Sequence, residues 1–106
     1  MVVGAIGVMC GTDIERHTCE IGYWLGRAFW GRGLATDAVK EMTTYAFDAL
    51  GMFRVFAVPF ARNTASFRVL EKAGYTREGL MRRSAVKDGV VLDQYLYAAY
   101  SDRWQV

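Results

Sequence analysis

The spacing of apolar residues changes several times along this chain, and each change predicts a new element. An apolar, β-branched run over 2–10 and a second apolar run over 19–25 are typical of strands. The polar residues between them predict a turn, so we expect the two strands to pair antiparallel. Gly22, inside the second run, indicates a bulge or the close approach of another backbone.

Helical spacing follows over 34–50, with charged residues on the opposite side. The apolar positions of this predicted helix are Leu34, Ala38, Met42, Tyr45, Ala46, Ala49 and Leu50. Gly51 is typical of a helix C-terminus. Asn63 is a suitable N-cap for a second, shorter helix that ends at Gly74. The apolar positions of this second helix are Ala65, Val69, Leu70 and Ala73.

Three further strands complete the pattern. Residues 53–58 form a short apolar run that Pro59 ends, and two longer runs, 75–86 and 90–100, flank a turn centred on Asp88-Gly89. The element order is β-β-α-β-α-β-β, and its central β-α-β piece implies a parallel pair with a right-handed crossover. We therefore expect an α/β fold (α+β in some classifications): a mixed, mostly antiparallel sheet with a central parallel split.

Composition fits one globular domain over 1–106. The chain has 106 residues, 53% of them hydrophobic, and no apolar stretch long enough to span a bilayer. We see no leader pattern, so we expect a cytoplasmic protein without a membrane partner. The net charge of +2 is too small to indicate nucleic acid. Four basic residues towards the end of the chain are interpreted as a solvated face of a strand pair, with a binding patch near a phosphate as the alternative: Arg77, Arg82, Arg83 and Lys87.

Two cysteines, Cys10 and Cys19, flank the first predicted turn and are expected to be cross-strand neighbours. In a cytosolic protein such cysteines are usually free thiols that pack as small apolar groups. Together with His17, which lies in the polar turn, they match no known ligand spacing. We therefore predict no metal site.

A glycine-rich stretch links the second predicted strand to the first predicted helix. It consists of Trp30, Gly31, Arg32, Gly33, Leu34, Ala35 and Thr36. Glycines let a backbone approach a ligand closely, and the first turn of a helix presents unpaired N–H groups that favour an anion. The stretch matches neither a P-loop nor a dinucleotide-binding fingerprint well. On this stretch alone, an ordinary strand-to-helix connection that binds no ligand is also an open interpretation.

A second segment, which runs from Asn63 to Tyr75, favours a ligand-binding role for the glycine-rich stretch. With Ile21-Gly22-Tyr23-Trp24-Leu25 and the glycine-rich stretch, the order and spacing resemble the GNAT superfamily of N-acetyltransferases over nearly the whole chain. The likeness is strongest to the branch that acetylates the N-termini of ribosomal proteins. It implies that acetyl-coenzyme A lays its pyrophosphate across 30–36, although Trp30 departs from the family's usual Gln or Arg.

The resemblance also implies roles for the residues before the loop. Trp24, Leu25 and Gly26 would pair with the amide-rich pantetheine arm where the parallel strands part. A backbone N–H at that point would stabilise the negatively charged oxygen of the tetrahedral intermediate that forms on the thioester carbonyl. Core packing is the plain alternative for Trp24 and Leu25.

Catalytic roles are expected for two side chains. Glu20, on the strand before the split, is the candidate base, with a solvated carboxylate as the alternative. Asn63 and Ser66 would lie near the pantetheine and sulfur, and Ser66 would protonate the departing thiolate. Helix capping is the alternative for both. Many relatives use a Tyr as the acid, and Leu70 stands at that position here.

The expected reaction is direct acetyl transfer from acetyl-CoA to a primary amine, possible acceptors being a protein N-terminus or a small amine such as a polyamine or aminoglycoside. An acetyl-enzyme through Cys19 is a further alternative, and so is a non-catalytic domain that binds acyl-CoA or only dimerises. The family's usual first strand and helices have no counterpart ahead of Val2, so the chain is expected to be N-terminally truncated or naturally minimal. An exposed edge at 2–10 predicts a homodimer.

Overall fold

The computed structural model describes residues 4–10, 18–25 and 34–101, with only the backbone described in 4–10 and 22–25. The elements are β1 (Gly4–Cys10), β2 (Thr18–Leu25), α1 (Leu34–Asp48), β3 (Arg54–Ala57), α2 (Thr64–Lys72), β4 (Thr76–Lys87) and β5 (Val90–Tyr100). The predicted order of strands and helices is confirmed. Helix α1 stops two residues before the predicted end, in a turn that Gly51 closes with φ +70°.

One mixed sheet of five strands carries the fold, in the order β1-β2-β3-β5-β4. The pair β2 and β3 is parallel, and the other three pairs are antiparallel. Helix α1 is the connection between the two parallel strands. The predicted fold class, with its central parallel pair, is therefore confirmed.

Helix α1 packs on the sheet through a face that overlaps the predicted one only in part, since Ala46 is buried and Met42 partly buried as predicted. Its buried residues are Ala35, Val39, Thr43 and Ala46. The predicted positions Leu34, Tyr45 and Leu50 are instead exposed by 43%, 52% and 36%. The rest of this face consists of Ala35, Val39 and Thr43, whose small or polar side chains do not stand out in the apolar pattern of the sequence.

Thr43 is tolerated in this core because both of its hydrogen-bonding capacities are used. Its Oγ1 lies 2.7 Å from the carbonyl oxygen of Val39, to which it donates, and 2.6 Å from the hydroxyl of Tyr75. A buried hydroxyl with such partners avoids most of the cost of desolvation. The contact ties α1 to the segment that enters β4.

Helix α2 begins and ends where the sequence predicts. The side chain of Asn63 accepts a hydrogen bond from the Ser66 N–H at 3.2 Å, and Gly74 follows the helix with φ +96°. Val69 and Leu70 are buried as predicted, whereas Ala65 is exposed on the solvent side of the first turn. Neither of the described helices, 15 and 9 residues long, is long and apolar enough to cross a membrane.

Pairing of β1 with β2 corrects two expectations. Gly22 lies opposite Gly7 in an uninterrupted register, so the bulge expected as one alternative is absent from this described pair, and the close approach of another backbone stays a prediction. Cys10 lies opposite Cys19, which confirms the cross-strand prediction. Cys19, however, is fully buried and disulfide-bonded, and Cys10 is the other cysteine of the chain. The expectation of a free thiol at Cys19 is wrong, because the register places the two cysteines directly opposite each other.

Replacing Thr43 by Val tests the buried hydroxyl pair. We expect Thr43→Val to lower the free energy of unfolding by about 1–3 kcal/mol, because it removes a partner from the Tyr75 hydroxyl without changing the side-chain shape. Urea unfolding followed by circular dichroism measures the change. The exposed neighbour gives a matched control, Thr44→Val, which should change stability by less than about 0.5 kcal/mol. Equal effects of the two substitutions would contradict the assignment.

Candidate functional site

The two parallel strands pair over a short distance and then part. Their register runs from Thr18↔Arg54 to Glu20↔Phe56. Beyond that point β2 continues to Leu25 alongside β1, whereas β3 ends at Ala57. Among the described residues, none of β3 pairs with β2 past Glu20. This region, which we call the fork, leaves one edge of β2 without a strand partner from β3.

A cavity of about 170 Å³ opens at the fork. Its lining comes from both parallel strands and from α2, and consists of Glu20, Ile21, Ala57, Val58, Pro59, Ser66 and Leu70. The structure therefore brings Glu20 and Ser66 together, although they are far apart in sequence. These are the two side chains that were predicted to be catalytic.

Glu20 stands at the last residue pair before the strands part. Its neighbours Cys19 and Ile21 are buried in the core between sheet and helices, whereas Glu20 is half-buried. Alternation along the strand gives this arrangement, since successive side chains point to opposite faces. Glu20 lines the cavity from a strand position whose side chain faces away from this core, and its backbone belongs to the last residue pair with β3.

Ser66 enters the cavity from the first turn of α2. Its backbone N–H is bonded to the Asn63 side chain, which fixes the start of the helix next to the fork. Leu70 is one turn further along the same face and is fully buried. The structure therefore places hydrocarbon, not a phenol, at the position where many relatives carry a Tyr.

Asn63 itself is exposed and does not line this cavity. Its predicted capping role is confirmed by the hydrogen bond to Ser66. A contact of Asn63 with a coenzyme stays a prediction.

The structure describes only the last three residues of the glycine-rich stretch. Gly26 and the predicted loop residues Trp30, Gly31, Arg32 and Gly33 lie outside the described residues. Leu34, Ala35 and Thr36 form the first turn of α1. Ala35 is 1% exposed, so its side chain belongs to the core and leaves only its backbone to face a ligand. The backbone of Trp24 and Leu25 ends β2 at the mouth of the fork, and their binding role stays a prediction.

Comparison with known proteins matches this architecture. Residues 1–76 match the family model described as the acetyltransferase (GNAT) domain. The chain belongs to the GNAT acetyltransferase family. The fold, with its parallel pair and two helices, is therefore the GNAT fold, and the fork lies at its centre.

Individual GNAT relatives are similar over nearly all of this chain. An uncharacterized N-acetyltransferase, p20 of Bacillus licheniformis, is 35% identical over 97 residues, which cover 92% of this chain and 54% of the relative. The [ribosomal protein uS5]-alanine N-acetyltransferase of Escherichia coli is 28% identical over 102 residues, covering 93% of this chain and 53% of the relative. The structure of Mycobacterium smegmatis RimJ in complex with CoA-disulfide superposes with a TM-score of 0.88 at 30% identity, covering 97% of this chain and 49% of RimJ. The chain spans about half the length of the curated relatives it matches.

A second cluster, which sequence analysis missed, lies on the other face of α2. The guanidinium of Arg77 lies over the rings of Phe67, Tyr95 and Tyr97, with 3.8 Å to the Tyr95 centroid. Its Nε donates to the Tyr97 hydroxyl at 2.9 Å, and that hydroxyl donates to Glu71 at 2.8 Å. The cluster joins α2 to β4 and β5, so it holds the helix that carries Ser66.

Charge and burial in this cluster are coupled. Burial raises the pKa of the Tyr97 phenol, so the phenol stays a donor to Glu71. The hydrogen bond to Tyr97 raises the pKa of the Arg77 guanidinium. Arg77, predicted to lie on a solvated face, is exposed as expected, but its guanidinium is also paired with Glu71 and lies over three rings. The Tyr95-x-Tyr97 alternation and the Phe67–Glu71 spacing of one helical turn are the signals that point to this cluster.

Removing the Tyr97 hydroxyl tests the cluster. We expect Tyr97→Phe to lower the free energy of unfolding by about 0.5–1.5 kcal/mol, because the buried Tyr97 side chain loses the hydroxyl that joins Glu71 to Arg77. Chemical denaturation measures the change. Tyr100→Phe is a matched control, since Tyr100 is 54% exposed on the same strand and should have little effect. A stability of Tyr97→Phe equal to that of the control would show that the cluster does not hold α2.

Proposed function

We propose that this chain, as a single domain, is an acetyl-CoA-dependent N-acetyltransferase that moves an acetyl group to a primary amine. The observation that carries the proposal is the meeting of Glu20 and Ser66 at the fork cavity. A carboxylate and a hydroxyl at one cavity supply the two proton transfers that acetylation of an ammonium needs. The RimJ structure, which contains CoA-disulfide, supports a coenzyme A ligand for this fold.

The fork fits the coenzyme's chemistry. A pantetheine arm is rich in amides and pairs with strand edges as an added strand does. The edge of β2 past Glu20 has no β3 strand beside it in the described chain, which makes it the proposed partner of that arm. The pyrophosphate is proposed to lie on the backbone of 30–36, at the N-terminus of α1.

The proposed chemistry is direct transfer within a ternary complex. Glu20 takes a proton from the ammonium, and the resulting amine attacks the carbonyl carbon of the thioester. The C–N bond forms, and the nitrogen then has a second proton to lose. As the C–S bond breaks, Ser66 donates its hydroxyl proton to the departing thiolate and takes up that nitrogen proton in return, directly or through water. The proton on Glu20 is released to solvent. The acetyl-enzyme alternative through Cys19 is not retained, because a buried, disulfide-bonded sulfur is not a free nucleophile.

A protein N-terminal amine is the proposed acceptor. Support comes from the uS5-alanine N-acetyltransferase, a relative that matches 93% of this chain. A ribosomal-protein acceptor would place the reaction in the cytoplasm. The proposed protein is a homodimer, because β1 is an edge strand of the described sheet and offers its backbone to a second copy.

Neutralising Glu20 tests the proposed base. We expect Glu20→Gln to lower kcat for an N-terminal peptide by about 10²-fold or more, since the general base is lost. The dissociation constant for acetyl-CoA, measured by calorimetry, should stay within about twofold, because Gln keeps the shape of the cavity. Thiol release measures turnover.

Two further variants sharpen this test. Glu41→Gln changes an exposed carboxylate on α1 and should leave kcat unchanged. Ser66→Ala should lower kcat while α2 stays capped, because the Asn63 contact uses the Ser66 backbone N–H. Turnover by Glu20→Gln at the wild-type rate would refute the role of Glu20. Coenzyme binding without thiol release, for every peptide and small amine tried, would favour the non-catalytic acyl-CoA-binding alternative.

A further inference from the structure

A bulge with three residues opposite one interrupts the long hairpin of β4 and β5. Met81 pairs with Gln94 and Ala85 with Leu92, so Arg82, Arg83 and Ser84 together oppose Asp93. Arg83 has φ +51°, a conformation that is costly for a residue with a Cβ. The sequence gives no glycine at this point to lower that cost.

Hydrogen bonds hold the bulge in this shape. The Asp93 carboxylate accepts from the Arg83 N–H at 2.8 Å, and the Ser84 hydroxyl donates to the Met81 carbonyl at 3.0 Å. A strained backbone persists only where its surroundings fix it, and bulges often lie beside active sites, where they re-aim side chains. These hydrogen bonds therefore fix a bulge that contains two consecutive exposed arginines, Arg82 and Arg83.

The same stretch of β5 borders the fork cavity. Pro59, which lines the cavity, accepts a hydrogen bond from the Tyr95 N–H at 2.9 Å, and Val58 accepts one from the Gln94 side chain at 2.9 Å. Gln94 forms bridges with Phe60 on one side and with Met81 on the other. Met81, where the bulge begins, is therefore two strand spacings, about 10 Å, from Phe60, which follows the cavity residue Pro59.

Four basic residues lie on the chain segments between the bulge and the cavity, and we call them the basic rim: Arg62, which follows Phe60 by two residues, and Arg82, Arg83 and Lys87 of β4. The Lys87 ammonium lies 5.6 Å from the ring centroid of Phe60, beside the cavity segment. All four residues are exposed, and none of them forms an ion pair in the part of the chain that the structure describes. The carboxylates nearby are those of Asp88, at the hairpin turn, and Asp93, which already accepts from Arg83.

We propose that the basic rim selects acceptor peptides whose third to fifth residues are acidic. The inference rests on the proposed function, because it takes the acceptor amine to react at the fork cavity. An extended peptide rises about 3.3 Å per residue, so side chains about three residues from that amine reach a surface about 10 Å away. Cations that form no ion pair among the described residues favour carboxylates at that distance and disfavour lysines.

The test measures both binding and turnover for matched peptides. Three N-terminal peptides differ only at the third and fourth residues, which are Asp, Asn or Lys. We expect the Asp peptide to bind the coenzyme-loaded chain about threefold to tenfold more tightly than the Asn peptide, and the Lys peptide to bind most weakly. The preference should shrink between about 0.05 M and 0.5 M salt, because these charges are exposed.

Variants of the rim separate its effect from net charge. Arg82→Gln and Lys87→Gln should each raise the KM of the Asp peptide while kcat and the coenzyme dissociation constant stay the same. Arg82→Glu should move the preference towards the Lys peptide. Arg68→Gln removes an equal charge from the exposed outer face of α2 and should leave the peptide preference unchanged.

Failure of this inference is distinguishable from failure of the proposed function. Turnover of all three peptides with equal KM overturns the charge selection and leaves the acetyltransferase intact. Tighter binding of the Asp peptide without thiol release supports the rim and counts against catalysis. A loss of preference in Arg68→Gln as large as in Arg82→Gln overturns the inference, since general charge would then explain the selection.

Discussion

The structure depends on one interruption in backbone hydrogen bonding. Strands β2 and β3 pair in parallel through three residue pairs and then part, at the point where Glu20 stands on one strand. Buried or half-buried backbone groups need partners, so a strand edge released inside a fold is a place for a ligand that supplies them. The fork cavity, the proposed position of the pantetheine arm and the location of the candidate base all follow from where this pairing stops.

Helix α2 gives the fork its second wall, and two sets of contacts determine its position. On one face, Ser66 and Leu70 line the cavity. On the other, Glu71 joins Tyr97 and Arg77, which belong to β5 and β4. The helix is short, and a helix of 9 residues has little stability of its own. The tertiary contacts of its two faces therefore determine where the candidate acid lies.

Local signals in the sequence were enough to predict the element order, the parallel pair, the Asn63 cap and the bounds of β5. The features that escaped prediction depend on partners distant in sequence. Thr43 is buried in α1 because the Tyr75 hydroxyl, 32 residues away, satisfies it. The β4 bulge depends on Asp93 across the hairpin, and the Arg77 cluster joins three elements. Glu20 and Ser66 were found through the family resemblance, since neither side chain differs by type or spacing from an ordinary strand carboxylate or helix cap.

Hydrogen–deuterium exchange with and without coenzyme A tests the fork most directly, because it reports on single stretches of backbone. If the pantetheine arm pairs with the released edge of β2, the amides of 21–25 should exchange more slowly when coenzyme A is added. The amides of the β4–β5 hairpin should change little and serve as the internal control. Protection confined to the hairpin or to the outer face of α2, with none in 21–25, would contradict the account.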